Sequence, residues 1–259
     1  VLNIQIHDHN VLVAFWLVFT RWLAIMMQLP LFDNVAVPML VKILTTLLLS
    51  YAFFPMVEAG MVRDVVLAGD MAFWTLTIFN TVVGLVIGFF VKAIMSTFVA
   101  AGAIITQQVG FAAVRYFDPQ SSEQIGPFEQ LIQWTMLIII VSSGAMLPMF
   151  KGALSTFHSI HAYGFARLAQ SPEFYIEMFK SIFLASLLLS TPMIFTNMLI
   201  MAVLGIISRT VPQMNIIMVS FVLNIGLGLL VFAAGSGEFF QVAFKFYTEQ
   251  LGRWFQFVG

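Results

Sequence analysis

Few side chains in this sequence could carry acid–base or metal chemistry. His158 and His161 stand three apart, and Glu173 and Glu177 four apart, spacings that place each pair on one helix face. Neither pair belongs to an H-E-x-x-H pattern, and zinc ordinarily takes a third protein ligand. Loop or interface roles are therefore expected for them. His7-Asp8-His9 reads as a polar, frayed end. Ser142-Ser143-Gly144 is part of no G-x-S-x-G elbow and reads as a small-residue packing patch. A phosphate-cradling G-x-x-x-x-G-K followed by Ser or Thr does not occur, so nucleotide-driven work is not expected of this chain. With no cysteine, disulfides and thiolate metal sites are excluded. The expectation is a chain that is not an enzyme, with no catalytic residues, metal or cofactor.

The elements that remain must be explained by packing. Of 259 residues, 61% are apolar and 9% are charged. A soluble domain is roughly 45–50% apolar and about 25% charged. So few ionic groups cannot cover a water-facing surface, which points to lipid or to burial against other subunits. Net charge is -1 and no basic run favours nucleic acid. The first residues lack a basic stretch leading into a short apolar core and a cleavage site, so no removable signal peptide is expected in them.

Charged residues punctuate the chain into long apolar runs. Met71–Val91 and Gln130–Phe150 hold 21 uncharged residues each, and Ser181–Ser208 and Thr210–Gly237 hold 28 each. About 20 apolar residues cross a hydrocarbon core as a helix. Val11–Leu31, apolar except for Arg21, and Val37–Val57, apolar except for Lys42, read as two more helices joined through Gln28–Asn34. A charge at mid-helix such as Arg21 is costly unless it is paired or hydrated. Membrane strands would alternate in polarity over about 9–11 residues, and no such alternation recurs. The fold class is thus all-α, a multi-helix membrane-type protein with broken or kinked segments.

The breaks carry the most information. Between Lys92 and Arg115 the run contains Ala100-Ala101-Gly102-Ala103 and then Gln107-Gln108-Val109-Gly110, followed by a polar loop with Pro119, Gly126 and Pro127. Small residues permit close helix approach, and adjacent amides need partners in an apolar setting. A broken helix along a wet cavity or a protein seam is expected there. Pro192 should kink its helix or mark its start. Gly205 to Asn215, with Arg209 and Pro212, reads as the turn of a helical hairpin whose second arm holds Asn224 beside Gly226 and Gly228. Gly84 and Gly88 form a small-xxx-small pair. From Glu238 to the end, polar residues recur every three or four positions opposite Phe239, Phe240, Phe244, Trp254 and Phe255, an amphipathic pattern with an aromatic face. The four clean spans hold no ionisable group of the kind that couples ions in a secondary transporter. A small-molecule transporter or channel subunit is therefore the alternative, and a part of a multi-chain channel fits better.

Ala101-Gly102-Ala103-Ile104-Ile105-Thr106-Gln107-Gln108-Val109-Gly110-Phe111-Ala112-Ala113, with Phe117-Asp118-Pro119 after it, resembles the family of the flagellar biosynthetic protein FliR, an export-gate family of type III secretion. Arg21, Pro30, Phe32, Val37 and Pro38 add to the resemblance, as does Gly205-Ile206-Ile207-Ser208-Arg209-Thr210-Val211-Pro212-Gln213-Met214-Asn215-Ile216. The resemblance implies a single export-gate domain over 1–259. Within it, 1–180 would be a FliP-like helical part with a central plug loop at about 106–125, 181–237 a FliQ-like hairpin, and 238–259 a C-terminal helix. It implies a single-copy subunit closing a helical channel with FliP and FliQ, near FlhB and FlhA, in the bacterial inner membrane at the flagellar basal body. Unfolded flagellar proteins would be the cargo. Plug or gating roles would fall to Gln107, Gln108, Gly110, Phe111, Tyr116, Phe117, Asp118 and Pro119. Packing roles would fall to Arg21, Gly84, Gly88, Gly205, Arg209, Pro212, Asn215 and Asn224.

Overall fold

The computed structural model describes residues 9–29, 32, 37–69, 73–111, 126–161, 172–211, 213 and 215–258. These residues form helices and no strand. In chain order they are α1 (His9–Met26), α2 (Met39–Ala68), α3 (Phe73–Val109), α4 (Pro127–Ser142), α5 (Met146–Ser159), α6 (Pro172–Thr210) and α7 (Ile216–Val258). Five of them, α1, α2, α3, α6 and α7, are long and apolar enough to cross a membrane, and α4 with α5 forms a sixth candidate bent by 76°. The architecture is that of a multi-pass membrane protein, whose backbone polar groups are satisfied inside helices.

Several expectations need correction. The run Gln130–Phe150 is not one helix: α4 ends at Ser142, Gly144 takes φ 71°, and α5 begins at Met146. A left-handed glycine ends a helix cheaply because it has no Cβ to clash. Ser142, Ser143 and Gly144 are consequently an exposed turn rather than a packing patch. Lys92 does not separate two helices: α3 runs through it and through Ala100–Ala103, and breaks only at Gly110, with φ 91°. Finally, the aromatic segment from Glu238 continues α7 without interruption at Gly237. Proline does not end α6 or α2, since both continue past Pro192 and Pro55.

The chain divides into two compact units, residues 1–94, 144–175 and 250–259 in one and 95–143 and 176–249 in the other. In the first, Trp22 of α1 is fully buried, stacked on Phe53 of α2 at 5.6 Å and 6.1 Å from both Phe150 and Phe157 of α5. Gly84 and Gly88 let α3 lie directly on α1. A Cβ on Gly84 would stand 2.5 Å from the Arg21 carbonyl oxygen and 2.8 Å from the Ala24 Cβ. One turn on, Gln28 Nε2 donates to the Leu85 carbonyl at 2.8 Å, tying the same two helices. Gly152 of α5 likewise sits under the Phe255 ring, and Phe174 stacks on Phe257 at 4.0 Å.

In the second unit, Gly102 of α3 meets the α4 backbone, where an added Cβ would stand 2.6 Å from the Glu129 Cα. On another face of α3, Ser190 of α6 donates to the Ala101 carbonyl at 3.1 Å. Phe128 of α4 packs edge-on against Phe232 of α7 at 5.0 Å.

Glycine positions in close contact should be intolerant where open ones are not. Gly84→Ala should lower the thermal unfolding midpoint in detergent by an amount equivalent to about 1–3 kcal/mol, the usual cost of overpacking. Gly205→Ala, whose Cβ would meet nothing within 4 Å, should leave that midpoint unchanged or raise it, because alanine favours helix by roughly 0.5–1 kcal/mol. Equal effects at the two positions would contradict the close crossing of α1 and α3.

Candidate functional site

Arg21 lies in the middle of α1 and is 1% exposed. Its guanidinium donates through Nε and Nη2 to Asn80 Oδ1 at 3.0 and 2.7 Å. Nη1 and Nη2 also donate to the carbonyls of Thr156 and Ile160 at 3.0 and 3.3 Å. Below the group, the Phe157 ring centroid lies 4.3 Å from Cζ, within the range of a cation–π contact. Asn80 is itself aimed, because its Nδ2 donates to the Leu76 carbonyl at 2.8 Å and leaves Oδ1 facing Arg21. The fork geometry of arginine suits this arrangement, in which one cation reaches three acceptors on two elements. Thr156 and Ile160 stand at the C-terminal end of α5, where the dipole is negative; the Thr156 carbonyl also accepts the Ile160 N–H at 3.0 Å, and the Ile160 carbonyl lies beyond the last helical N–H. Arg21 therefore caps α5 and ties it to α1 and α3.

A second tie closes the same end of α5. His161 Nδ1 lies 3.0 Å from Asp64 Oδ2 of α2, and Nε2 lies 3.1 Å from the His158 carbonyl. The pair His158 and His161 thus meets through one backbone carbonyl and not through two rings. Asn80 and Asp64 were not singled out in the sequence, although a lone amide in the uncharged run Met71–Val91 is a readable signal for a buried partner.

The central motif lies in the second unit. Gln107 is exposed, while Gln108 Oε1 accepts a 2.5 Å bond from Asn197 Nδ2 of α6. Val109 is fully buried and fills the space above Gly228, where a Cβ would stand 2.8 Å from it. Gly110 turns the chain, its N–H donating to the Gln107 carbonyl at 3.1 Å. Phe111 then packs 5.7 Å from the ring of Phe128. Tyr116, Phe117, Asp118 and Pro119 lie outside the described residues, as does Pro212. Gln107, Gln108, Gly110 and Phe111 are brought together at the end of α3.

The connection between α6 and α7 spans residues 211–215. Arg209 is exposed in the last turn of α6, where a cation complements the helix dipole. Asn215 caps α7, its Oδ1 accepting from the Met218 N–H at 3.4 Å. A Cβ on Gly205 would meet nothing within 4 Å among the described residues. Asn224 is 8% exposed and its Oδ1 has no hydrogen-bond partner among the described residues.

Three substitutions probe these geometries. Arg21→Met should destabilise by at least about 3 kcal/mol, since each buried acceptor left without a donor costs roughly 1–3 kcal/mol. Combined with Asn80→Leu, the loss should fall short of the sum of the single losses by about 1 kcal/mol or more, as for any directly bonded pair. Strict additivity in detergent unfolding would disprove the bond. Gly110→Ala should cost about 1–2 kcal/mol in the same measurement, the penalty of a side chain in the left-handed region; no loss would mean that the turn is not formed.

The family described as Bacterial export proteins, family 1, matches residues 12–250, a stretch that takes in the Arg21 contacts, the Gly110 turn and the α6–α7 connection. Among curated relatives, the flagellar biosynthetic protein FliR of Bacillus subtilis (strain 168) is 26% identical over 224 residues, 84% of this chain and 84% of the relative. The flagellar biosynthetic protein FliR of Escherichia coli (strain K12) is 24% identical over 214 residues, covering 83% of this chain and 80% of the relative. The Yop proteins translocation protein T of Yersinia pestis is 27% identical over 137 residues, 52% of either chain. With nearly its whole length matched and its apolar helices in place, the chain belongs to the Bacterial export proteins, family 1.

Proposed function

We propose that this chain is the FliR-type subunit of a flagellar type III protein-export gate, which closes a channel built with FliP and FliQ and passes unfolded flagellar proteins. The observation that carries the reading is the family match over residues 12–250. The first seven curated relatives, from several bacterial lineages, share the flagellar designation. The likeness to a translocation protein of Yersinia fits a common export role in secretion outside flagella.

Physical features agree with a subunit that needs companions. Leu40, Leu48 and Tyr51 of α2 and Ile217, Val222 and Leu230 of α7 are each at least 67% exposed. Such surface calls for lipid or for other apolar helices. Under this reading the chain resides in the bacterial inner membrane at the flagellar basal body, with FlhB and FlhA as neighbours. Residues 1–180 form its FliP-like part, 181–237 its FliQ-like hairpin and 238–259 its last helical segment. Under the same reading the gate region takes in the last turn of α3 with Gln107 and Gln108, leaves the helix at Gly110 and Phe111, and continues through Tyr116, Phe117, Asp118 and Pro119. A loop suits a plug because it must yield when a chain passes, and bulky apolar side chains hold back ions at rest.

Native mass spectrometry of the detergent-extracted, affinity-tagged chain tests the assembly. One copy of the chain with several copies of FliP and FliQ is the expected result. Recovery as a lone chain, from cells that produce both partners, would reject the proposal.

A further inference from the structure

Two helices bring amide side chains together at the last turn of α3. Asn197 of α6 donates to Gln108 across the helix pair at 2.5 Å. On α7, Phe221, Asn224 and Gly228 are spaced by three and four residues and share a face. Two of these touch the end of α3 directly: the Phe221 ring stands 3.7 Å from where a Cβ of Gly110 would be, and Gly228 meets Val109. Asn224 lies between them, and its Oδ1 is buried with no partner among the described residues, as is Oδ1 of Asn197.

Amides are costly at such a place. An apolar pair of similar shape would be nearly neutral, whereas a buried amide oxygen without a donor is destabilising. What an amide pair adds is direction: the bond from Asn197 to Gln108 holds only in one rotation of α3 about its axis, because neighbouring helical positions lie about 100° apart. Gly110 follows Gln108 by two residues, so that rotation sets where the chain leaves the helix. A polar side chain fixing register at the expense of stability is a well-attested use of a buried amide.

We propose that Gln108 and Asn197 form a polar clasp that positions the Gly110 turn and thereby holds the gate shut at rest. Gln108 and Asn197 are positioning residues, acting through Gly110 and Phe111 and not on cargo. This inference rests on the export-gate reading, because a resting leak has meaning only for a closed channel.

The test uses the assembled complex in potassium-loaded liposomes, with potassium release followed by electrode. Gln108→Leu and Asn197→Leu should assemble with unchanged stoichiometry and release potassium at least threefold faster than the unaltered complex. The double leucine variant should leak no more than the worse single, since both remove one bond. The reciprocal exchange Gln108→Asn with Asn197→Gln keeps an amide pair of the same combined length and should return release to within twofold of the unaltered level. Unchanged release in the assembled leucine variants, or an exchange variant as leaky as the singles, would overturn the clasp. Where leucine prevents assembly, Asn197→Ser is read by the same criteria. A complex that fails to form with the unaltered chain would instead overturn the export-gate reading, so the two failures differ in kind.

Discussion

A guanidinium without water around it must find its donors' partners in protein, and Arg21 finds them on two elements at once. Asn80 of α3 and the last carbonyls of α5 accept its bonds while Phe157 covers its face. Two of the acceptors would be costly to bury alone, the Asn80 amide and the Ile160 carbonyl, while the Thr156 carbonyl also accepts the Ile160 N–H. The charge and the helix end therefore satisfy each other. Because the bonds have fixed directions, they hold α1, α3 and α5 in a register that apolar packing alone leaves loose. The close crossing at Gly84 and Gly88 and the aromatic stack on Trp22 depend on that register.

The second unit follows the same logic with neutral groups. Here the chain reaches a break, and glycine at Gly110 supplies a backbone conformation that other residues resist. The packing around that break is made of small residues against bulky ones, Gly228 beneath Val109 and Gly102 against the α4 backbone. An amide pair stands where the last turn of α3 ends. Helices of this length with such outward apolar faces are not finished by their own contacts. What surrounds α2 and α7 must be apolar as well, which is why the functional reading concerns an assembly.

Much of this was legible in the residues. Runs of uncharged residues gave the helices, since length and apolarity alone decide whether a segment can span. The need of Arg21 for a partner followed from its place at mid-run, and the small residues near Gly84 and Gly102 pointed to close approach. Breaks within apolar runs were harder to read. Nothing in the composition of Gln130–Phe150 distinguishes a bent pair from one span, because a single glycine can sit in a helix or end it. Of the two readings of Pro192, a kink or a helix start, the second is excluded, because α6 begins at Pro172 and runs past it. The partners of Arg21 were invisible because Asn80, Thr156 and Ile160 are brought to it by tertiary contacts over 59 to 139 residues of sequence. Gly110, by contrast, stands in a readable motif, and its φ of 91° is one that glycine adopts most freely.

The role of the chain in protein export is tested most directly in cells from which its gene is deleted, by measuring flagellar proteins released into the medium. The account predicts that release ceases and returns when the unaltered chain is supplied. Undiminished release of those proteins without the chain would contradict it.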